Sequence, residues 1–490
     1  MEDDKRPGRP TNPGRRPSGA GGNKRPSDRR QLTPEERKRR QLIALRKQRE
    51  KRKKLILMTC CIAVVVLLLV GVILSVTGKN KKNDSSGSDS AAKVASESSS
   101  GGKSTSGESS SKPDNSPTPV PTATPSPTPT PAPVSATIVA VGDDLMHQGV
   151  YNSGKSGGTY NFDHIFKDTA YLLADADIKI MNQETIFGGN EKGLSSYPLF
   201  NSPVEMSDAL VKAGYNVITH ATNHARDMGI DGLLYCAKYW KEHHPETLVV
   251  GIYETEEEQK QIPIMIVNGI KFAILNYTYS HNSAIWKKDC DGHLNMLCAF
   301  NPDTREIDFN TINPQVLEDI KKAETMADFT IVCPHWGQEY YDTQRPQQEN
   351  FAKQMTEAGA DLIIGTHPHV IEPVAWIEAE NGNKSLCYYS LGNFTSTQDE
   401  WVRILGGMAK LTVIKDGSGT YIDPESARAI PLVNHYTSPG NLVKGVYSLK
   451  NYTADLAAKH GLKPRKGIVV TIDNLTNHAK KVFGDFCSIE

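Results

Sequence analysis

Residues 359–374 read GADLIIGTHPHVIEPV. A short apolar run, LII at 362–364, is closed by a glycine and followed at once by two histidines that flank a proline. A run of this length bounded by turn residues reads as a strand, and its apolar character suggests burial on both faces. Pro368 denies a helix beyond the strand and favours an extended segment. Residues i and i+2 of an extended segment point the same way, so His367 and His369 are expected to face one point.

Working outward, the same pattern recurs. Apolar, β-rich runs stand at 137–141 (TIVAV), 178–181 (IKIM), 217–219 (VIT), 272–276 (FAILN), 330–333 (TIVC) and 386–390 (LCYYS). Helical patterns lie between them at 207–213, 231–241, 314–326 and 347–358. Strands alternating with helices argue an α/β fold. A later run, 407–414, precedes a turn at 416–419 and reads as the first arm of a hairpin. No repeat at solenoid periods is visible.

Polar residues follow six of these seven runs. Gly142-Asp143-Asp144, Asn182-Gln183-Glu184, the stretch from His220 to Asp227, His335-Trp336-Gly337, His367-Pro368-His369 and Leu391-Gly392-Asn393 all sit at strand ends. In open α/β sheets the carboxyl ends of strands form the ligand crevice. The order of motifs therefore assembles one pocket holding carboxylates, an asparagine and several imidazoles. Mixed carboxylate and imidazole ligands suit zinc, manganese or iron rather than calcium. A pair of such ions, about 3.5–4 Å apart and sharing a carboxylate, is the arrangement of two-metal hydrolytic sites.

Taken singly, each element has a plainer explanation. Asp143-Asp144 would be a turn or helix cap, His335 a buried polar residue beside a core tryptophan, and His224 with Asp227 a helical surface pair. Their shared position at strand ends is what joins them. His243-His244, after a helix and before Pro245, is expected to be an exposed loop pair. Cys290 and Cys298 could close a short disulfide loop, and no cysteine spacing fits a zinc knuckle.

The chain has 490 residues with zero net charge, unevenly spread. Residues 1–54 hold 20 Lys and Arg against 7 Asp and Glu, a charge of +13, and the rest hold 36 against 49, a charge of −13. An acidic body repels phosphate, so nucleic acid is not an expected partner. Residues 55–76 form an uncharged apolar run of 22 residues behind Lys51-Arg52-Lys53-Lys54. At about 1.5 Å per residue it spans a hydrocarbon core of about 30 Å. Positive charge stays on the cytoplasmic side, which predicts a single-pass anchor in the cell membrane with the C-terminal body outside. The run is too long for a cleaved signal peptide, and Cys60 lies too early in it for a lipoprotein anchor. Disordered basic sequence in the tail serves orientation, with anionic lipid as a second reading. Residues 77–134 are a linker, first rich in Ser and Gly, then in Pro and Thr (SPTPVPTATPSPTPTPAPV, 116–134), flexible and then stiff.

The motifs VGDDLMHQGV (141–150), MNQETIFGG (181–189), ATNHARDMGIDGL (221–233), CPHWGQEYY (333–341), GADLIIGTHPHVIEPV and YSLGNF (389–394) together resemble the CapA family of capsule (poly-γ-glutamate) synthesis proteins, within the calcineurin-like metallophosphoesterase superfamily. The resemblance spans about residues 136–398, so 135–398 is taken as the domain. Residues 399–490 either complete its sheet or form an appendage. The resemblance implies a four-layer α/β/β/α sandwich with two divalent metal ions. Asp143 and His369 would ligate the first, Asn223, His335 and His367 the second, and Glu184 would bridge. His224 would protonate a leaving group, oriented by Asp227. The superfamily's Asp-x-His first motif is absent, and His147 is the nearest substitute. Its bridging Asp is replaced by Glu184, and Ala225 stands where an acid usually follows Asn-His.

The function implied is a membrane-anchored, extracytoplasmic hydrolase or transferase acting on an anionic capsule or envelope polymer. The alternative is a non-catalytic polymer-binding subunit beside a membrane-bound capsule synthase or exporter. A pure surface tether would explain the linker but not the clustered ligands.

Overall fold

In the computed structural model, residues 132–463 and 469–490 are described. The expected basic tail, the apolar run at 55–76 and nearly all of the linker lie outside them. Among the described residues, no helix is long and apolar enough to cross a membrane.

The apolar runs become strands where both faces find cover. TIVAV is the centre of β1 (Val134–Asp144), whose residues from Ile138 onward are all buried. Beside it run β2 (Ile178–Gln183), β3 (Val217–Thr219) and β4 (Leu248–Val250), all parallel. A second sheet contains β5 (Ile264–Val267), β6 (Ile270–Thr278), β7 (Phe329–His335), β8 (Leu362–Ile364), β9 (Val374–Glu378) and β10 (Lys384–Tyr388), in the order β9-β10-β8-β7-β6-β5. Its central strands β6, β7, β8 and β10 are parallel.

The chain then returns to the first sheet. β11 (Asn393–Thr395) pairs with the end of β1, placing Asn393 opposite Asp143. β12 (Leu405–Asp416) runs antiparallel along β1 from Val134 to Val141, and turns at 416–419 into β13 (Gly419–Ile422), as the hairpin reading expects. With β14 (Arg428–Thr437) and β15 (Leu442–Ser448) the sheet has nine strands, so four of them come from beyond residue 398.

Helices cover the outer faces by ordinary amphipathic spacing. α1 (Glu205–Ala213) buries Met206, Ala209 and Leu210 and ends at Gly214, whose φ of 103° needs a residue without Cβ. α2 (Gly229–His243) buries Leu233, Cys236, Ala237 and Trp240. α3 (Pro314–Glu324) starts with Asn313 capping the Gln315 N–H and buries Val316, Ile320 and Ala323. α4 (Pro346–Ala358) buries Phe351, Ala352 and Met355. α3 packs on β6 and β7, α4 on β9 and β10.

The two sheets share one apolar core and meet where β1 and β4 approach β6. Asn276 on β6 pins them: its Oδ1 accepts the Ala221 N–H just after β3 at 2.6 Å, and its Nδ2 donates to the Cys333 carbonyl of β7. All six cysteines of the described region are free, so Cys290 and Cys298 close no loop. His244 departs from expectation. It is buried, against Ser207 Oγ at 3.0 Å and Asp208 at 3.2 Å, and only His243 is exposed.

Candidate metal centre

Six strand ends deliver the side chains. Asp143 is the penultimate residue of β1, and its backbone N–H donates to the Gly392 carbonyl at 2.9 Å. The approach is so close that a Cβ at Gly142 would collide with that carbonyl. Glu184 follows β2 by one residue, and Asn223 and His224 lie in the turns between β3 and α2. His335 ends β7, His367 and His369 occupy the loop after β8, and Asn393 opens β11. All are buried.

They fall into two groups. In one, Glu184, His335 and His367 each bring a donor atom within 4.8 Å of the others; in the second, Asp143, Glu184 and His369 do the same. Glu184 belongs to both, and its two oxygens divide between them. Oε1 lies 3.9 Å from His335 Nε2, and Oε2 lies 3.7 Å from His369 Nδ1. Asn223 joins the first of these groups through Oδ1, 3.0 Å from His335 Nε2.

The donor chemistry fits cations. Both Glu184 oxygens and His367 Nδ1 are buried with no hydrogen-bond partner. A buried carboxylate left bare is costly, and an ion between the groups removes that cost. Burial, with the Asp143 carboxylate next in weight, pushes Glu184 well above the ordinary carboxylate range. Burial first, and neighbouring imidazoles second, hold His335 and His367 well below 6.5. Neutral imidazoles with free lone pairs are what a metal needs.

Supporting residues set the orientations. Asn182 Nδ2 donates to Asp143 Oδ1 at 2.8 Å, and its own Oδ1 accepts from Thr219 Oγ1. His335 Nδ1 contacts Thr366 Oγ1 at 3.0 Å, which leaves Nε2 facing Asn223 and Glu184. Asn223 Nδ2 donates to Asn282 Oδ1 at 3.1 Å. The Tyr279 ring covers His367 with centroids 4.6 Å apart.

His224 lies beside Glu184. Its Nδ1 is 2.6 Å from Asp227 Oδ2, and its Nε2 is 3.9 Å from Glu184 Oε1. The same Asp227 oxygen accepts the Phe200 N–H, and the Phe200 ring meets the imidazole edge to face at 4.7 Å. His224 is buried and Asp227 half-buried, both in a turn, so they are not a helical surface pair.

The loop after β8 corrects one expectation. His367 and His369 have φ of 100° and 59°, so the segment is not extended at either histidine. Both rings still reach Glu184, with centroids 5.8 Å apart, His367 in the group with His335 and His369 in the group with Asp143. Left-handed backbone at non-glycine residues is costly and gathers at functional sites. His147 belongs to neither group. Its Nδ1 accepts the Thr397 N–H at 3.4 Å, and burial holds it down at about 3. Asp144 is also in neither group, and burial pushes it up to about 8. Asn276 and Asn282 escaped the sequence reading as site residues, and Asn182 and Thr366, inside motifs it quoted, were given no role. Amides outside the motifs carry no one-dimensional signature of their own.

The chain is similar to known proteins. The chain is 31% identical over 278 residues to "Capsule biosynthesis protein CapA" of Bacillus anthracis, covering 54% of this chain and 61% of that protein. It is 29% identical over 317 residues to "PGA biosynthesis protein CapA" of Bacillus subtilis strain 168, covering 64% of this chain and 75% of that protein. The chain thus spans less than two thirds of the Bacillus anthracis relative. A solved structure of a hypothetical protein from Thermus thermophilus aligns over 60% of this chain and 99% of that one, at 13% identity and a TM-score of 0.34, too distant a likeness to argue from. The description "Bacterial capsule synthesis protein PGA_cap" matches residues 137–398, the span that carries every ligand and support named above. With strand-end motifs, paired ligand groups and matched span in agreement, the chain belongs to the PGA_cap family of bacterial capsule synthesis proteins.

Proposed function

We propose that this protein is a metal-dependent hydrolase or transferase of capsule or cell-envelope polymer synthesis, built as the four-layer sandwich of the metallophosphoesterase superfamily. The carrying observation is Glu184, a buried carboxylate shared by two ligand groups with neither oxygen hydrogen-bonded. Asp143, Glu184 and His369 would hold one divalent ion, and Glu184, Asn223, His335 and His367 the other. Ions bound there would supply Lewis acidity and lower the pKa of water beside the scissile bond.

The chain's own residues supply the rest. Asp227 takes the Nδ1 hydrogen of His224, which directs Nε2 into the site. A proton on Nε2 is then placed for delivery to a leaving group. The Phe200 ring packs against the imidazole at right angles and helps hold it. The apolar run at 55–76 supports a cell-membrane anchor that presents this domain outside the cell, where an anionic polymer is within reach. Poly-γ-glutamate, with amide bonds, and a phosphodiester polymer are the two substrate classes the reading admits.

The full-length protein, purified in detergent, decides the matter by elemental analysis and by incubation with manganese and each polymer. About two ions per chain, with shortening of one polymer, is the expected result. No ion in the wild type removes the reading. Ions retained with neither polymer altered replaces it with a polymer-binding subunit of a capsule synthase or exporter complex.

A further inference from the structure

We propose that Asn393 is a direct ligand of the first metal ion, supplying through Oδ1 the ligand that the missing Asp-x-His histidine would have given. This rests on the two-metal reading above.

The geometry begins with His369. Its Nδ1 lies 3.1 Å from Asp143 Oδ2, 3.1 Å from Asn393 Oδ1 and 3.7 Å from Glu184 Oε2. Three oxygens therefore surround one ring nitrogen. A ring N–H has a single hydrogen and satisfies one oxygen well, and a ring nitrogen without hydrogen satisfies none. A cation among the four atoms satisfies them all.

The amide cannot be turned the other way. Asn393 Nδ2 faces the His369 carbonyl at 3.2 Å, Gln398 Oε1 at 3.1 Å and the Arg403 carbonyl at 2.9 Å. Reversal would set an oxygen against these two backbone carbonyls. The three acceptors thus aim Oδ1 at His369 and Asp143. The residue is fully buried, and β11 holds it in register with Asp143. His147, the sequence substitute, belongs to neither ligand group.

The completed set is Asp143, Glu184, Asn393 and His369, three oxygens and one nitrogen. The other set is Glu184, Asn223, His335 and His367, two oxygens and two nitrogens. Oxygen-rich ligation suits manganese, which makes Mn²⁺ the natural probe.

The test is Mn²⁺ titration of the full-length protein by calorimetry, with metal content after dialysis, for wild type, Asn393→Ala and Asn393→Asp. Wild type should bind two ions. Asn393→Ala should keep one and lose affinity for the other by well over about 100-fold, beyond the roughly 10- to 100-fold that loss of a supporting residue gives. Asn393→Asp keeps the oxygen and removes the amide donors, so it should bind two ions within about 3-fold of wild type, well inside the loss expected for a removed support. If both variants lose the ion, Asn393 acts only by holding its loop, and the proposal is overturned. If Asn393→Ala binds two ions like wild type, it is overturned equally. If Asn393→Ala does not fold, Asn393→Asp decides alone: two ions sustain the proposal, and one ion ends it. A wild type that binds no ion would instead defeat the metal reading itself.

Discussion

The two ligand groups are built differently although they share Glu184. The group with His335 draws its atoms from β7, from the turn after β3 and from the loop after β8, so it spans both sheets. The group with Asp143 is centred on the end of β1, where β11 and β2 pair on either side of it. The first is imidazole-rich, the second oxygen-rich. The contrast teaches that Glu184 is a hinge between two chemistries: one carboxylate serves both, and removing it should empty both.

That expectation gives the largest effect. Glu184→Gln should take bound Mn²⁺ from two ions to none, read by elemental analysis after dialysis. Retention of one ion at full affinity would mean that the groups do not depend on a common ligand. The same change should stabilise the ion-free protein. Glu184 in the fold titrates well above its ordinary value of 4.5. Stability is therefore intact below that value and falls as pH rises through the folded value. By pH 7 to 8 the ion-free variant should be more stable by about 1–3 kcal/mol, checked by denaturant unfolding in chelator.

Single removals sharpen the contrast. His335→Ala and His369→Ala should each cost one ion, with about 100-fold weaker binding at the affected position and little change at the other. If either variant loses both ions, the two positions fill only together. Next in size is Asp227→Asn, which leaves both groups whole. Turnover should fall by about 100-fold with metal content unchanged, the lower end of the roughly 10²- to 10⁴-fold that general-acid catalysis contributes, since His224 itself stays. A drop in metal content would show that the His224–Asp227 pair supports the ions rather than a proton.

The smallest effect lies behind the loop that serves both groups. Glu372 is fully buried, accepts from Gln348 Nε2 at 2.7 Å through Oε2, and leaves Oε1 unpartnered. Burial pushes it up to about 8. It should thus contribute stability below about pH 4.5 that is lost as pH rises through about 8. Glu372→Gln should match wild type at pH 5 and exceed it by about 1–2 kcal/mol at pH 9. A constant difference across that range would mean that the carboxyl is ionised throughout.

Much of this arrangement was legible in the linear chain. The runs VIT and LII are strands at the residues read, and the polar residues that follow them lie at one end of the sheets. Such local patterns survive because a buried strand must be apolar wherever it pairs. The roles within the site came through family resemblance rather than spacing, since spacing alone predicted that His367 and His369 face together. Their left-handed φ values show that the segment is not extended, and the two rings still meet at Glu184, each in a different group. Proline excludes a helix but does not choose between extended and left-handed neighbours. His244 was misread for a related reason: its burial comes from α1, a separate helix.

The amino-acid sequence by itself determined the alternation of strands and helices, the charge division at residue 54 and the inventory of carboxylates and imidazoles, because these depend on neighbours in the chain. Only the tertiary structure decided which donors share a position, that β11 returns to lie against β1 with Asn393 opposite Asp143, and that Glu184 faces two ways. Those facts rest on contacts between residues hundreds of positions apart, and side-chain direction at such contacts is set by sheet register and loop backbone, which no local pattern encodes.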